Sequence, residues 1–219
     1  MANKDSLYKY TKLEFLESTI KNGIFASKII NLNDPYELRN VDKKKFRVVC
    51  LTRSNNQKLM WSHYGNGHRG CCVQIEQLEE YGQKDCILKR ITYSSNVNNK
   101  KNKSNDILQS PLYIKDKKWY KELEVRAVYD GQEKNEKYWN KVGKDIYFKS
   151  KIIQVSFGCL ADTDEKNYLS ALKAIKEYND KSRKKIKVKK FKMSDDSFKF
   201  VYDKNYDYEK ELERLDKEK

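Results

Sequence analysis

The sequence predicts an α+β fold, on three observations. Strand-like segments, such as Cys71 to Ile75 and the alternating Leu123 to Tyr129, mix with segments of helical spacing, without the regular order of strands and helices of a doubly wound sheet. Aromatic residues make up 12% of the chain, 16 of them tyrosine, and supply large burial groups that a disordered chain lacks. A length of 219 residues suits one sizeable core, or a core with an appendage, and no internal repeat is visible. Residues 1–160 are expected to form the motif-bearing α+β core. Residues 161–219 should add a helix, a basic β-ribbon and a charged terminal helix to the same domain.

Each element has its own justification. Leu7 to Thr11 reads as a short strand and Lys12 to Lys21 as a helix, stopped by Gly23 before Ile24-Phe25-Ala26. Asn33-Asp34-Pro35 signals a turn, because Asx side chains fold back on the backbone and proline fixes φ. Phe46 to Thr52 is β-rich, Asn56 to Tyr64 a short helix, and Cys71 to Ile75 and Cys86 to Tyr93 strands. Ser94 to Asp106 is polar and rich in lysine and asparagine, as exposed loops are. Ile107 to Tyr120 is expected to be helical, Leu123 to Tyr129 a strand, and Ile146 to Phe157 one or two strands. Asp162 with Glu165 resembles a capping box ahead of the apolar stripe Tyr168, Leu169, Leu172, Ile175 and Tyr178. Lys185 to Lys192 reads as a strand with one basic face, pairing with Phe198 to Tyr202 across Ser194-Asp195-Asp196-Ser197. The last dozen residues read as a charged helix.

Composition narrows the function classes. The 47 basic and 32 acidic residues leave a net charge of +15, a field that attracts nucleic acid, nucleotides and acidic proteins. No apolar run approaches the ~20 residues that span a bilayer, and the N-terminus lacks a signal-peptide core, so the expected address is cytoplasmic with no membrane partner. Five cysteines, without a C-x-x-C pair, read as reduced and mainly buried thiols.

The stretch from Leu59 to Gly70 concentrates the chemistry. It holds both histidines of the chain, His63 and His68, with Trp61, Tyr64, Arg69 and three of the eight glycines. Histidine suits proton transfer, metal binding or anion contact; the plainer alternative is a packed turn whose rings hydrogen-bond to backbone. Gly65-x-Gly67-x-x-Gly70 matches a dinucleotide-binding pattern literally, but that pattern needs a strand before it and a helix after it, the reverse of the order here. His63, His68 and Cys71 or Cys72 fall short of a four-ligand zinc set, so the reading is without metal. Glu122 and Glu124, at i and i+2, are placed on one face of a strand, where paired carboxylates orient a hydroxyl or stabilise a developing cation. The alternative is that Glu124 pairs with Arg126 on a solvated face. Lys181 to Lys190 either tracks a phosphate backbone or forms a solvated edge kept basic against strand pairing.

In order, several pieces resemble the bacterial family called domain of unknown function 2971. They are Leu7-Tyr8-Lys9-Tyr10, Asn33-Asp34-Pro35-Tyr36-Glu37, Cys50-Leu51-Thr52, Met60-Trp61-Ser62-His63-Tyr64, His68-Arg69-Gly70, Ile91-Thr92-Tyr93, Trp119, Glu122-Leu123-Glu124-Val125-Arg126 and Gly158. The match spans about residues 7–160, and members of that family look like accessory or defence genes. A remoter likeness is to ADP-ribosyltransferases, which implies a single domain with a split mixed or antiparallel sheet and flanking helices. That resemblance implies NAD as substrate, in ADP-ribosyl transfer or NAD cleavage in a toxin or anti-phage setting. Glu124 would be the key carboxylate with Glu122 secondary, Tyr64 the platform for nicotinamide, and His63 and His68 polarising groups. Lys9, Tyr10, Trp61 and Arg69 would serve NAD, and Asn33 and Asp34 would shape the mouth of the cleft. Lys9-Tyr10 departs from the His or Arg usual at the first of these sites. Two alternatives stand beside it: a non-catalytic basic nucleic-acid-binding module, and a metal-independent nuclease with His63 and His68 as acid and base.

Overall fold

The computed structural model describes residues 6–38, 41–42, 44–76, 87–95, 111–131, 137–197 and 199–217. It is an α+β structure. In chain order the strands are β1 (Leu7–Thr11), β2 (Ile24–Phe25), β3 (Ser27–Lys28), β4 (Arg47–Thr52), β5 (Cys71–Ile75), β6 (Leu88–Arg90) and β7 (Thr92–Ser94). They continue with β8 (Ile114–Asp116), β9 (Glu124–Tyr129), β10 (Trp139–Val142), β11 (Asp145–Phe148), β12 (Ile152–Phe157), β13 (Lys187–Met193) and β14 (Phe200–Tyr202). The α-helices are α1 (Leu16–Asn22), α2 (Lys58–Tyr64), α3 (Glu165–Lys181) and α4 (Tyr208–Lys217). The chain forms two compact units: the described residues within Met1–Gly23, Ser54–Glu76 and Ser150–Lys219, and those within Ile24–Arg53 and Gln77–Lys149.

The first unit is built on strands in the order β14-β13-β12-β5-β1, with β12 and β13 parallel and the other pairs antiparallel. Register assigns side chains to two faces. Cys71 lies opposite Phe157, whose ring meets Tyr168 of α3 edge-on at 5.0 Å. Cys72 lies opposite Tyr10 and Ser156, and Tyr10 and Cys72 pack with Met60 and Trp61 of α2. The adjacent cysteines therefore serve opposite layers, α3 on one face and α2 on the other. Helix α1 ends at Gly23, which adopts φ 102° and donates its N–H to the Thr19 carbonyl at 3.1 Å.

Helix α3 buries Tyr168, Leu169, Leu172 and Ile175 of the predicted stripe, while Tyr178 is half-buried. The capping box does not form: the N-cap is Asp164, while Asp162 sits in a 3-10 turn and pairs with Lys190 at 2.8 Å. The basic strand also differs from expectation. Lys187 and Lys189 lie opposite Gln154 and Ser156, whereas Lys190 lies opposite Phe157 on the other face. Strand alternation divides the lysine run between two faces.

In the second unit β3, β4, β9 and β6 pair antiparallel in that order. Strands β10, β11 and β2 form a separate antiparallel set, and β7 pairs with β8 in parallel. A core of Ile29, Val48, Ile91, Leu112, Tyr113 and Val128 lies within it. The predicted helix from Ile107 to Tyr120 is, over its described part, a 3-10 turn, β8 and a second 3-10 helix (Lys117–Glu122). Pairing with β7 overrides local helical propensity there. The predicted strand from Cys86 to Tyr93 divides into β6 and β7 at Ile91, whose N–H turns to the Glu124 carbonyl at 3.1 Å. Cys86 and most of the predicted loop from Ser94 to Asp106 lie outside the described residues.

Candidate functional site

Two polar clusters, one in each unit, carry the chemistry the sequence singled out. In the second unit the Asn33-Asp34-Pro35 turn forms as expected. Asp34 Oδ1 accepts the Tyr36 N–H at 3.0 Å, and the Asp34 carbonyl accepts that of Glu37 at 3.1 Å. Asn33 is exposed and Asp34 buried. The turn carries Glu37 into a buried ion cluster with Lys115, Glu122, Glu124 and Arg126, each 5% exposed or less except Glu124 at 6%.

Glu122 and Glu124 are not neighbours on one strand face. Glu122 ends the 3-10 helix, Leu123 takes a left-handed conformation (φ 48°), and Glu124 opens β9. They converge nonetheless on Lys115 Nζ, at 2.6 and 3.1 Å. Arg126 grips Glu124 with two donors, Nε to Oε1 at 2.5 Å and Nη2 to Oε2 at 3.0 Å. Arg126 also donates to Glu37 Oε1, and from Nη1 to the Leu112 carbonyl at 2.8 Å. The expected Glu124–Arg126 pair is real, but buried rather than solvated.

Electrostatics follows from this geometry. Burial pushes the Glu124 carboxyl up, yet Arg126 and Lys115 outweigh it and hold the group down at about 2. Burial dominates at Glu37 and raises its carboxyl above the ordinary value despite the same two cations. Both oxygens of Glu124 are occupied, while Glu37 Oε2 is buried without a hydrogen-bond partner among the described residues. Glu37 and Lys115 are not among the candidate site residues of the sequence, and Arg126 enters there only as a partner of Glu124. Lys115 had been assigned to a helix, where nothing directs its side chain toward Glu122 and Glu124.

In the first unit α2 and the turn after it hold the two histidines. Trp61 is buried, donates from Nε1 to the Asn55 carbonyl at 3.1 Å, and meets Tyr10 edge-on at 5.0 Å. Asn66, Gly67 and His68 are three successive left-handed residues, at φ 52°, 58° and 67°. The His68 ring lies nearly parallel to Trp61 (15°, 6.1 Å) and against Phe200 at 4.5 Å. Burial lowers the His68 imidazole below its ordinary value, and the charge of Lys58 adds to this. His63 and Arg69 are exposed, and Tyr64 is half-buried.

Around this turn lies a polar and aromatic surface that the sequence reading missed. Tyr8, Tyr64, Phe200 and Tyr202 pack half-buried against the cluster of Tyr10, Met60, Trp61, Cys72 and Phe191. Asn55 and Gln154 donate to the Tyr202 hydroxyl at 2.8 and 3.2 Å, and Lys189 Nζ lies 4.3 Å above the Tyr202 ring. Alternation along Lys187 to Lys192 was the available signal for which lysines face this side. Lys9 lies opposite Val73 and Tyr10 opposite Cys72, so their side chains leave β1 on opposite faces. The nominated pair does not converge.

Tyr64 belongs to the first unit and Glu124 to the second. Among the described residues no three His, Cys, Asp or Glu side chains are grouped to hold a metal ion, and no helix is long and apolar enough to cross a membrane. No family model, curated protein or solved structure matches the chain.

Proposed function

We propose that the first unit binds nucleic acid or a nucleotide, with no chemistry of its own required for that role. One observation carries the reading: half-buried aromatic side chains and lysines share the α2 side of its sheet. Tyr8 and Tyr64 are half-buried there, and Lys187 and Lys189 leave β13 on the same face, Lys189 over the Tyr202 ring. Bases stack on such rings at about 1–3 kcal/mol each, and ammonium groups release counterions from phosphates. A net charge of +15 supports encounter with a polyanion. Lys181 and Lys190 pair with acidic neighbours, leaving Lys187 and Lys189 as the better candidates for a ligand. Fluorescence anisotropy with a labelled single-stranded oligonucleotide tests this. Binding should weaken steeply with salt, and Lys189→Ala should reduce the slope of log affinity against log salt by about 1. Salt-insensitive binding, or none at low salt, would refute it.

A second reading is cleavage or transfer at the nicotinamide–ribose bond of NAD, in a toxin or anti-phage setting. It draws support from Tyr64, half-buried in a short helix as the ADP-ribosyltransferase likeness implies. It fits less well elsewhere: a catalytic glutamate must bond a ribose hydroxyl, and both Glu124 oxygens are held by Lys115 and Arg126. Lys9 and Tyr10 on opposite strand faces do not make a joint NAD contact. Release of nicotinamide from labelled NAD by the pure protein, abolished in Glu124→Gln, would restore this reading over the first.

A further inference from the structure

We propose that His68 is the residue through which the first unit grips a phosphate group of its ligand. The inference rests on the nucleotide and nucleic-acid reading above and names the contact within it. Left-handed backbone at a residue other than glycine costs roughly 1–2 kcal/mol, and such strain tends to gather where function requires it. Here the strain is enforced from several sides. His68 donates its N–H to the Trp61 carbonyl at 3.3 Å, and its own carbonyl accepts the Leu160 N–H at 3.1 Å. Gly158 lies so close that a Cβ there would collide with the His68 carbonyl and stand 3.1 Å from the Trp61 ring.

The ring is packed as well, against Phe200 at 4.5 Å and nearly parallel to Trp61 at 6.1 Å. Neither ring nitrogen has a hydrogen-bond partner among the described residues. The structure thus positions a half-exposed imidazole whose nitrogens make no hydrogen bond to the described residues. Charge selects the ligand. Lys58, on α2, is the charged group that acts on His68, and Arg69 follows it in the chain with Nη1 turned back to the Gly67 carbonyl at 3.4 Å. A phosphate group, which the nucleotide or nucleic acid proposed above carries, brings negative charge to this positive end of the turn, as a sugar or neutral base does not. Its oxygen accepts an N–H from the ring and favours the protonated imidazole. Phosphate binding should therefore be linked to proton uptake at His68, and tighten as pH falls.

The chain contains only two histidines, so its imidazole NMR spectrum has two sets of signals, and His63→Gln identifies the His68 set. With the full-length protein, the His68 midpoint should rise by about one pH unit when a single-stranded oligonucleotide is added. Affinity measured by anisotropy should then increase up to about tenfold from about pH 8 to pH 5.5. His68→Asn, a residue that tolerates the left-handed region, should still bind but lose that pH dependence. A nucleoside monophosphate or inorganic phosphate that moves the signal as far also supports the contact, and identifies one phosphate as sufficient. Sodium acetate moving it equally would show a general carboxylate or anion contact and overturn the phosphate assignment. If the oligonucleotide binds while the His68 signals stay in place, the contact is refuted and the binding reading survives. If none of these ligands binds or shifts His68, both fail.

Discussion

In the second unit Glu37, Lys115, Glu122, Glu124 and Arg126 bury their charges against one another, while in the first unit Tyr8, Tyr64, His68 and Lys189 stay half-buried or exposed. The two clusters differ in where their bonding is directed, although Glu37 Oε2 is itself buried without a partner among the described residues. Glu124 has both oxygens bound and Arg126 donates to three partners. The His68 ring nitrogens have no partner among the described residues, though the ring itself is clamped. Charges buried against one another specify a fold, and a fixed but half-exposed group is available to a ligand. On this view the carboxylates that look most catalytic in the sequence are the structural ones.

The sharpest way to break that comparison is to remove the guanidinium. Arg126→Met leaves Glu37 and Glu124 buried with Lys115 as the remaining cation, and should destabilise by about 3–5 kcal/mol. A urea titration measures it; a loss within 0.5 kcal/mol would mean the cluster is hydrated and open to ligands after all. Acid should have an effect of similar size. Glu124 is held at about 2 against an ordinary 4.5, so its contribution is present above about 4.5 and disappears as pH falls toward 2. The loss is on the order of 3 kcal/mol, and Glu124→Gln should flatten that limb of the stability curve.

The first unit should answer to packing instead. Gly158→Ala drives a Cβ into the His68 carbonyl, so the turn must shift, at a cost of roughly 1–3 kcal/mol in thermal or urea stability. Oligonucleotide binding should fall with it, because the ring moves as the turn does. Stability lost with binding intact would separate the turn from the ligand site and sharpen the contrast in the wrong direction for His68.

How much of this was legible beforehand depends on the range of the interaction. Strands β1, β4, β5 and β9 and helix α3 follow from short β-rich runs, the alternation along Leu123 to Tyr129 and a helical stripe, all local signals. The Asn33-Asp34-Pro35 turn was legible for the same reason, though its consequence, the placing of Glu37 beside Arg126, joins positions 89 apart. Lys115 was misread because β8 exists only through pairing with β7, which no local pattern in Ile107 to Tyr120 encodes. His63 and His68 stood out by rarity alone. Their unlike fates, one exposed and one clamped, depend on Gly158 and Phe200, far along the chain.

The smallest effect tests the comparison most finely. Burial raises the Glu37 carboxyl, so the folded chain holds that proton more tightly than the unfolded chain does. The resulting stabilisation is complete below the ordinary 4.5 and is lost as pH rises through the elevated folded value, a sign opposite to that of Glu124. Glu37→Gln keeps an oxygen to accept from Arg126 while removing the charge that burial penalises. Its stability at neutral pH should stay within about 1 kcal/mol of the parent chain, and the decline above pH 4.5 should flatten. Urea titrations between about pH 5 and pH 8 resolve the difference. A large loss at neutral pH would mean that Glu37 acts there as a full carboxylate, and that the cluster needs all three acids ionised to hold its two cations.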